Sequence, residues 1–341
     1  MSKLRKSILS LLPVLALGLS HLPMQAAESV AGSASAPAQA MIDVSKLASE
    51  EMAGRATDSK GSALARDYII SRLQHLGLTP CKDDFVHEFE FQSRQGATRK
   101  GKNIIACRPG SMNEHASAPV LAISAHYDHL GEKAGKIYYG ADDNASGVAA
   151  VLAIAAAMKE NPPQHDVMYI LFDAEEMGLS GSRAFAAKPV LDMARIGMNM
   201  NFDMIARGDK GELYASGAYH TPALRDFLAG LDGTQGVKLK FGHDRPEQGQ
   251  DDWTRQSDHL PFFMAGVPHI YFGVEDHADY HQPTDTADKI NPQFYLGAVD
   301  LLTKASYVLD QAMLTTNFRN KSKDGQAAVS TEGSKGGMGS K

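Results

Sequence analysis

Four short apolar segments constrain the fold of this chain more than any other feature. They are Leu121–Ala125, Val167–Phe172, Met198–Phe202 and His269–Phe272. Their length and composition predict buried β-strands. Helical patterns separate them, and strands joined through helices need crossover connections, which favour parallel pairing. We therefore predict an α/β fold, a single domain with a mostly parallel central sheet flanked by helices on both faces.

Apolar spacing and terminal signals predict the remaining elements. One half-buried strand is expected over Phe85–Phe91. Helices are expected over Gly61–Leu76, Ser146–Lys159, Gly181–Ala187, Pro222–Leu231 and Pro292–Leu314. The helix from Ser146 is Ala-rich and apolar nearly all round, which indicates a buried helix.

The first 26 residues have the pattern of a signal peptide. Lys3, Arg5 and Lys6 precede an apolar run from Ile8 to Leu19, and small residues follow up to Ala26. The run is short for a hydrocarbon core ~30 Å thick, so we expect cleavage after Ala26 rather than a stable membrane anchor. Release to the periplasm or the medium would follow.

Composition divides the rest into a lead-in, one domain and a tail. Residues 27–41 are rich in Ala, Ser and Pro and predict a flexible lead-in. Residues 42–316 have no internal linker and predict one compact domain. Residues 317–341 have few apolar side chains and predict a disordered tail. Cys81 and Cys107 are the only cysteines, so a single disulfide is expected in an oxidising compartment, with two free thiols as the alternative.

The overall charge excludes some partners. Hydrophobic residues are 43% and charged residues 22% of the chain, as in ordinary globular proteins. A net charge of −6 gives no reason to expect nucleic acid or an anionic membrane as partner. No motif determines the oligomeric state.

Metal-ligand and acid/base residues follow the predicted strands. His126 and Asp203 come directly after two of them, and Glu175-Glu176 follows a third. In open α/β sheets ligands bind beyond the carboxyl ends of the strands, where imidazoles and carboxylates suit divalent metals. The sequence therefore predicts a metallohydrolase.

The acidic pair and its neighbours suggest a division of roles. Adjacent residues on an extended chain point to opposite sides, so one glutamate of Glu175-Glu176 can bind metal while the other takes a proton. Asp142 can bridge two metals with its two oxygens, and Asp128 can orient His126. Each motif also has an ordinary structural interpretation, such as a helix N-cap or a surface loop. His281, in a polar loop, is the last candidate.

Several motifs in order resemble the co-catalytic di-zinc aminopeptidases, which include secreted bacterial leucine-type enzymes and, more distantly, glutamate carboxypeptidase II. The motifs are His126-Tyr127-Asp128, Gly140-Ala141-Asp142-Asp143-Asn144-Ala145-Ser146-Gly147, Glu175-Glu176-Met177-Gly178, Asn201-Phe202-Asp203-Met204-Ile205, Ser257-Asp258-His259 and His281-Gln282-Pro283-Thr284-Asp285-Thr286. The entry, Met52-Ala53-Gly54-Arg55, is also similar.

The resemblance implies two zinc ions per chain and a role for each motif. His126 and Asp203 would bind one ion, Glu176 and His281 the other, and Asp142 both. Glu175 would be the general base and Asp128 would support His126. The peptide bond between Asp142 and Asp143 would be cis. The implied reaction is hydrolysis of an N-terminal peptide bond, by water activated between ions ~3.5–4 Å apart. Peptides with a free N-terminus would be the substrates.

Three alternatives stay open on the sequence. Glutaminyl cyclases share this fold but use one zinc, whereas the His126 and Asp203 ligands favour two. A carboxypeptidase would need a basic group for the substrate carboxylate, and Arg207 is the obvious candidate. A catalytically silent binding protein should have lost ligands, and none of those named is substituted here.

Overall fold

The computed structural model describes residues 36–112 and 118–321, and within them eleven strands and seven α-helices. The strands are β1 Thr79–Pro80, β2 Val86–Gln92, β3 Thr98–Arg108, β4 Val120–His126, β5 Gly131–Lys133, β6 Lys136–Tyr138, β7 Val167–Phe172, β8 Ile196–Phe202, β9 Glu212–Ser216, β10 Lys238–Phe241 and β11 His269–Gly273. The α-helices are α1 Ala36–Leu47, α2 Lys60–His75, α3 Gly147–Glu160, α4 Ser180–Ala187, α5 Ala223–Leu228, α6 Leu260–Met264 and α7 Pro292–Met313. A π-helical segment, Ala141–Ser146, leads into α3, and short 3-10 turns include Glu50–Arg55 and Trp253–Arg255.

Nine strands form one mixed sheet in the order β1-β3-β7-β4-β8-β11-β9-β10, with β2 also paired to β3. The four central strands β7, β4, β8 and β11 are parallel, and β9 pairs in parallel with β10. The pairings of β1, β2 and β7 with β3, and of β9 with β11, are antiparallel. The predicted α/β class is confirmed, while parallel pairing dominates only in the centre.

Both faces of the central sheet are buried. Along β4, Leu121 and Ile123 pack into the core that includes α1, α3 and α7, while Val120 and Ala122 pack into the core that includes α4 and α6. This alternation follows from the two-residue period of a strand. Burying one such aliphatic side chain contributes about 1.5–3 kcal/mol. Strands covered on both faces therefore carry the continuous apolar runs seen in the sequence.

The predicted helices and strands are present, and described structure also extends beyond residues 42–316 at both ends. Helix α1 begins at Ala36, inside the predicted flexible lead-in, because Ala favours helix and Ala40 and Val44 are fully buried. At the other end Phe318 is buried, and the Arg319 guanidinium donates to the carbonyl of Gly266. The predicted signal peptide and the tail beyond residue 321 lie outside the described residues.

Cys81 and Cys107 form the expected disulfide, which joins the chain just after β1 to β3. Among the helices described here, none combines the length and apolar character needed to cross a bilayer.

Candidate metal centre

The carboxyl ends of β7, β4 and β8 meet at one edge of the sheet. His126 is the last residue of β4 and lies opposite Phe172, the last residue of β7. The loop after β7 carries Glu175 and Glu176, and Asp203 follows β8 directly. Because these strands are parallel neighbours, the three loops converge as predicted.

A first cluster forms around His126. Its Nε2 lies 3.2 Å from Oδ1 of Asp203 and 3.4 Å from Oδ1 of Asp143. His126 Nδ1 lies 3.2 Å from the backbone carbonyl oxygen of Asp128, and the Ser257 hydroxyl donates to Oδ2 of Asp203 at 2.7 Å. A proton on Nδ1 shared with that carbonyl would leave Nε2 of the neutral ring to bind a cation between it and the two carboxylates, as in imidazoles that bind metals.

A second cluster forms on the other oxygen of Asp143. His281 Nε2 lies 3.1 Å from Oδ2 of Asp143 and 3.2 Å from Oε2 of Glu176. Asp143 therefore presents one oxygen to each cluster. Zinc bound tetrahedrally at ~2.0–2.1 Å would separate its donors by about 3.3 Å. The donor separations around Asp143 match this value, so the spacing suits one metal ion in each cluster.

Asp142, the predicted bridge, lies outside both clusters. Its Oδ1 accepts a hydrogen bond of 2.7 Å from the backbone N–H of Ala206, and its Oδ2 lies 3.1 Å from Nε2 of His277. The backbone turns between the two aspartates, since Asp143 has non-helical dihedral angles of −101° and 93°. The structure therefore places Asp143, and not the predicted Asp142, in contact with both clusters. The cis peptide bond also lies one residue later than expected, between Asp143 and Asn144.

Asp285 belongs to the His281 motif and supports the segment from Gly140 to Ser146, which carries Asp143 and which we call the bridging loop. Its carboxylate accepts hydrogen bonds from the backbone N–H of Asp142 at 3.0 Å and of Asp143 at 3.1 Å. Burial and the charge of Asp142 raise the pKa of Asp285 to about 6. The motif thus contributes His281 to the second cluster and also holds the loop that both clusters share.

Asp128 acts on the glutamate loop more directly than on His126. Its Oδ1 accepts the N–H of Glu175 at 3.0 Å, and its Oδ2 accepts the N–H of Glu176 at 3.3 Å. The carboxylate stays 3.7 Å from His126 Nδ1, which contacts the Asp128 carbonyl instead. The predicted orienting residue is therefore close to His126 but fixes the backbone of both glutamates.

Arg55 and His129 belong to the site although the sequence did not assign them to it. The Arg55 side chain is fully buried and donates 2.8 Å hydrogen bonds to the carbonyls of Tyr127 and Gly140. These bonds connect the loop after β4 to the bridging loop. Burial lowers its pKa to about 10 against the opposing charge of Asp143. Position 55 ends the entry motif, and His129 stands three residues after His126, so both had a signal in the sequence.

The clusters concentrate negative charge in a buried place. Burial has the largest effect on Glu175 and raises its pKa well above the usual range. The positive charge of His126 opposes this increase, while the negative charges of Asp203 and Asp258 add to it. Burial and Glu176 likewise raise the pKa of Asp143. Burial works to lower the pKa of His281, but its hydrogen bonds with Asp143 and Glu176 outweigh this and raise it to about 10. Carboxylates that hold protonated imidazoles in this way form a donor set suited to divalent cations.

A cleft opens onto both clusters, with a water-accessible volume of about 80 Å³. Glu175 lines it beside the cluster residues. Its other walls are aromatic, apolar or polar side chains from several loops: Met204, Trp253, Gln256, Tyr271, Val274, Asp276 and Tyr280. A short apolar side chain can be placed next to the carboxylates there.

Comparison with known proteins agrees with this architecture. The family model described as Peptidase family M28 matches residues 103–305, and this range includes every residue of the two clusters. The chain therefore belongs to peptidase family M28.

Two curated relatives are similar over much of the chain. Leupeptin-inactivating enzyme 1 of Streptomyces exfoliatus is 30% identical over 251 residues, which cover 72% of this chain and 50% of the relative. Aminopeptidase YwaD of Bacillus subtilis is 28% identical over 215 residues, which cover 60% and 44%. The chain thus spans about half the length of these relatives.

Solved structures share the fold. BSAP, a zinc aminopeptidase from Bacillus subtilis, superposes with a TM-score of 0.62 at 17% identity, covering 80% of this chain and 94% of that one. The glutaminyl cyclase of Porphyromonas gingivalis superposes with a TM-score of 0.63 at 17% identity, covering 81% and 98%. The fold is therefore common to aminopeptidases and cyclases, and the choice between them depends on the site.

Proposed function

We propose that the protein is a secreted exopeptidase that removes N-terminal residues from peptides, with two zinc ions and a glutamate general base. Membership of a peptidase family and the name of its Bacillus subtilis relative support a metallopeptidase of aminopeptidase type. The observation that carries the two-metal proposal is the pair of clusters that share Asp143 at metal-ligand spacing.

The residues of each cluster fit a zinc ion. His126, Asp203 and Oδ1 of Asp143 would hold one ion, and His281, Glu176 and Oδ2 of Asp143 would hold the other. Each set offers three protein donors, which leaves a position open as catalytic zinc sites require. Zinc bound there would polarise the scissile carbonyl and lower the pKa of a water molecule.

Glu175 is placed to move the proton. Its carboxylate lines the cleft, and the Asp128 carboxylate fixes its backbone N–H. The raised pKa gives this carboxylate a high proton affinity, which the positive charge of bound cations would bring down towards the working pH. Glu175 would take the proton from the attacking water and then give it to the leaving amine.

The charges around the cleft favour a substrate with a free amine. Arg207, the candidate for binding a substrate carboxylate, instead pairs with Asp279 at 2.9 Å. In the described part of the chain, no lysine or arginine lines the cleft, whereas five carboxylates do: Asp143, Glu175, Glu176, Asp203 and Asp276. Five carboxylates exceed the charge of two divalent cations, so the filled site would still attract an ammonium group.

Secretion rests on two observations from different parts of the chain. The first 26 residues have the charge and apolar pattern of a cleaved signal. The disulfide between Cys81 and Cys107 suits the oxidising environment of a periplasm or medium. N-terminal sequencing of the exported protein should find Ala27 as its first residue, and an intact Met1 would contradict the proposal.

The activity test compares substrates that differ only at the amine. We expect aminoacyl amides with a free amine to be hydrolysed, the N-acetylated forms to be resistant, and chelation to abolish turnover until zinc is restored. N-terminal glutaminyl peptides should yield free glutamine. Conversion of those peptides to a cyclic product with release of ammonia, by protein that holds one zinc, would assign the chain to the cyclases instead.

A further inference from the structure

His129 is a buried imidazole beside the second cluster to which the proposed mechanism gives no role. Its side chain is fully buried, and its Nδ1 lies 2.9 Å from Oε1 of Glu176 and 3.6 Å from Oδ2 of Asp143. Despite the short distance, the Nδ1–Oε1 contact lacks the alignment of a full hydrogen bond, and neither ring nitrogen has another partner among the described residues. A buried polar ring with this environment calls for a ligand or a proton acceptor.

The two oxygens of Glu176 face different imidazoles. Oε2 lies 3.2 Å from His281 Nε2, within the second cluster, and Oε1 lies 2.9 Å from His129 Nδ1. Oε1 is buried and has no other partner among the described residues. The rotation of the Glu176 carboxylate, and so the direction of Oε2, therefore depends on the His129 ring.

Gly140 holds that ring in place. A Cβ atom at position 140 would lie 2.5 Å from Cγ of His129 and 2.2 Å from the carbonyl oxygen of Asp143. Gly140 also has a φ of 60°, in the left-handed region that favours glycine. The ring is packed directly against the backbone of the bridging loop, which limits its rotation.

We propose that His129 is a positioning residue: its Nδ1–H faces Oε1 of Glu176 at 2.9 Å and, by attracting that oxygen, keeps Oε2 directed at the metal position beside His281. The tautomer supports donation over direct ligation. A proton on Nδ1 leaves only a lone pair unpartnered at Nε2, whereas ligation through Nδ1 would bury an N–H at Nε2 without an acceptor, which is rarer. This inference rests on the proposed two-zinc function.

The test measures zinc affinity in variants of the full mature protein. His129→Phe keeps a ring against Gly140 but removes the donor, and His129→Asn restores a donor near the position of Nδ1. Removing a group that orients a metal ligand typically weakens metal binding by about 10–100-fold. In a chelator competition, we expect H129F to lower the affinity for one of the two zinc ions by that factor and to leave the affinity for the other unchanged. We expect H129N to recover part of the lost affinity.

His269 provides a matched control, because it is also buried, its Nε2 has no hydrogen-bond partner within the described part of the chain, and it lies on β11 outside both clusters. His269→Asn should bind both zinc ions as the wild type does. Wild-type zinc affinity in folded H129F would overturn the inference. So would an altered cobalt absorption spectrum in fully loaded H129N, since it would make His129 itself a ligand. Wild-type protein that binds fewer than two zinc ions would instead refute the proposed function, whatever the variants do.

Discussion

The two adjacent aspartates provide the sharpest prediction, because the structure gives them different tasks. Asp143→Asn changes a donor shared by both clusters: an amide has one oxygen where the carboxylate offers two, and it is neutral. We expect D143N to lose at least one of two zinc ions. We also expect kcat/KM to fall by about 10³-fold or more, which corresponds to about 4 kcal/mol of transition-state stabilisation.

Asp142→Asn is the matched change one residue earlier. It weakens the hydrogen bond from Ala206 N–H and the contact with His277, neither of which belongs to a cluster. Weakening hydrogen bonds to a buried charged group costs about 1–3 kcal/mol, so the free energy of unfolding should fall by that amount. Both zinc ions should remain, and kcat/KM should change far less than in D143N.

Elemental analysis of zinc per chain, urea unfolding and steady-state kinetics on one aminoacyl amide distinguish the two variants. Release of zinc by D142N with an unchanged free energy of unfolding would contradict these separate tasks. Two bound zinc ions and near wild-type kcat/KM in D143N would contradict them equally.

Four further predictions concern the site and the disulfide. Glu175→Gln should keep both zinc ions but lower kcat by about 10²–10⁴-fold, because only the proton acceptor is lost; wild-type kcat with full zinc content would exclude Glu175 as the base. The raised pKa values of His126 and His281 mean that zinc must displace their protons, so calorimetry at pH 7.5 in buffers of different ionisation enthalpy should find at least two protons released per chain, and no release would contradict the assigned ligands. For the same reason the contribution of His281 to the stability of the zinc-free protein is complete below about pH 6.5 and is lost as the pH rises through about 10, which urea unfolding across this range can follow. Reduction of the Cys81–Cys107 bond, whose cysteines are 26 residues apart, should lower the free energy of unfolding by about 3 kcal/mol without changing the zinc content, and a loss of zinc would show that this bond also supports the site.

Residues on or directly after regular strands were predictable. His126 and Asp203 are such residues, and the parallel neighbours that carry them were visible as apolar runs. Their clustering follows from the strand directions alone, so pattern and composition were sufficient.

Loops and ends were less predictable. The first residues of helix α1, 36–41, were interpreted as part of a flexible lead-in because the Ala, Ser and Pro content of that stretch resembles a linker, yet Ala40 is buried against the domain. Local composition contains no information on whether a distant helix offers a surface to pack against. The same reason explains Phe318, which the composition of the tail concealed.

The sequence by itself determined the α/β class, the strand ends that carry the site and the type of chemistry available there, because these depend on local apolar periodicity and on residue type. Only the tertiary structure decided that Asp143 rather than Asp142 joins the two clusters, and that Glu176 lies between two imidazoles. Both outcomes depend on backbone turns in irregular loops and on partners more than a hundred residues away, such as Asp285. Asp142 and Asp143 have the same side chain, and only the conformation of the packed loop directs Asp143 towards both clusters.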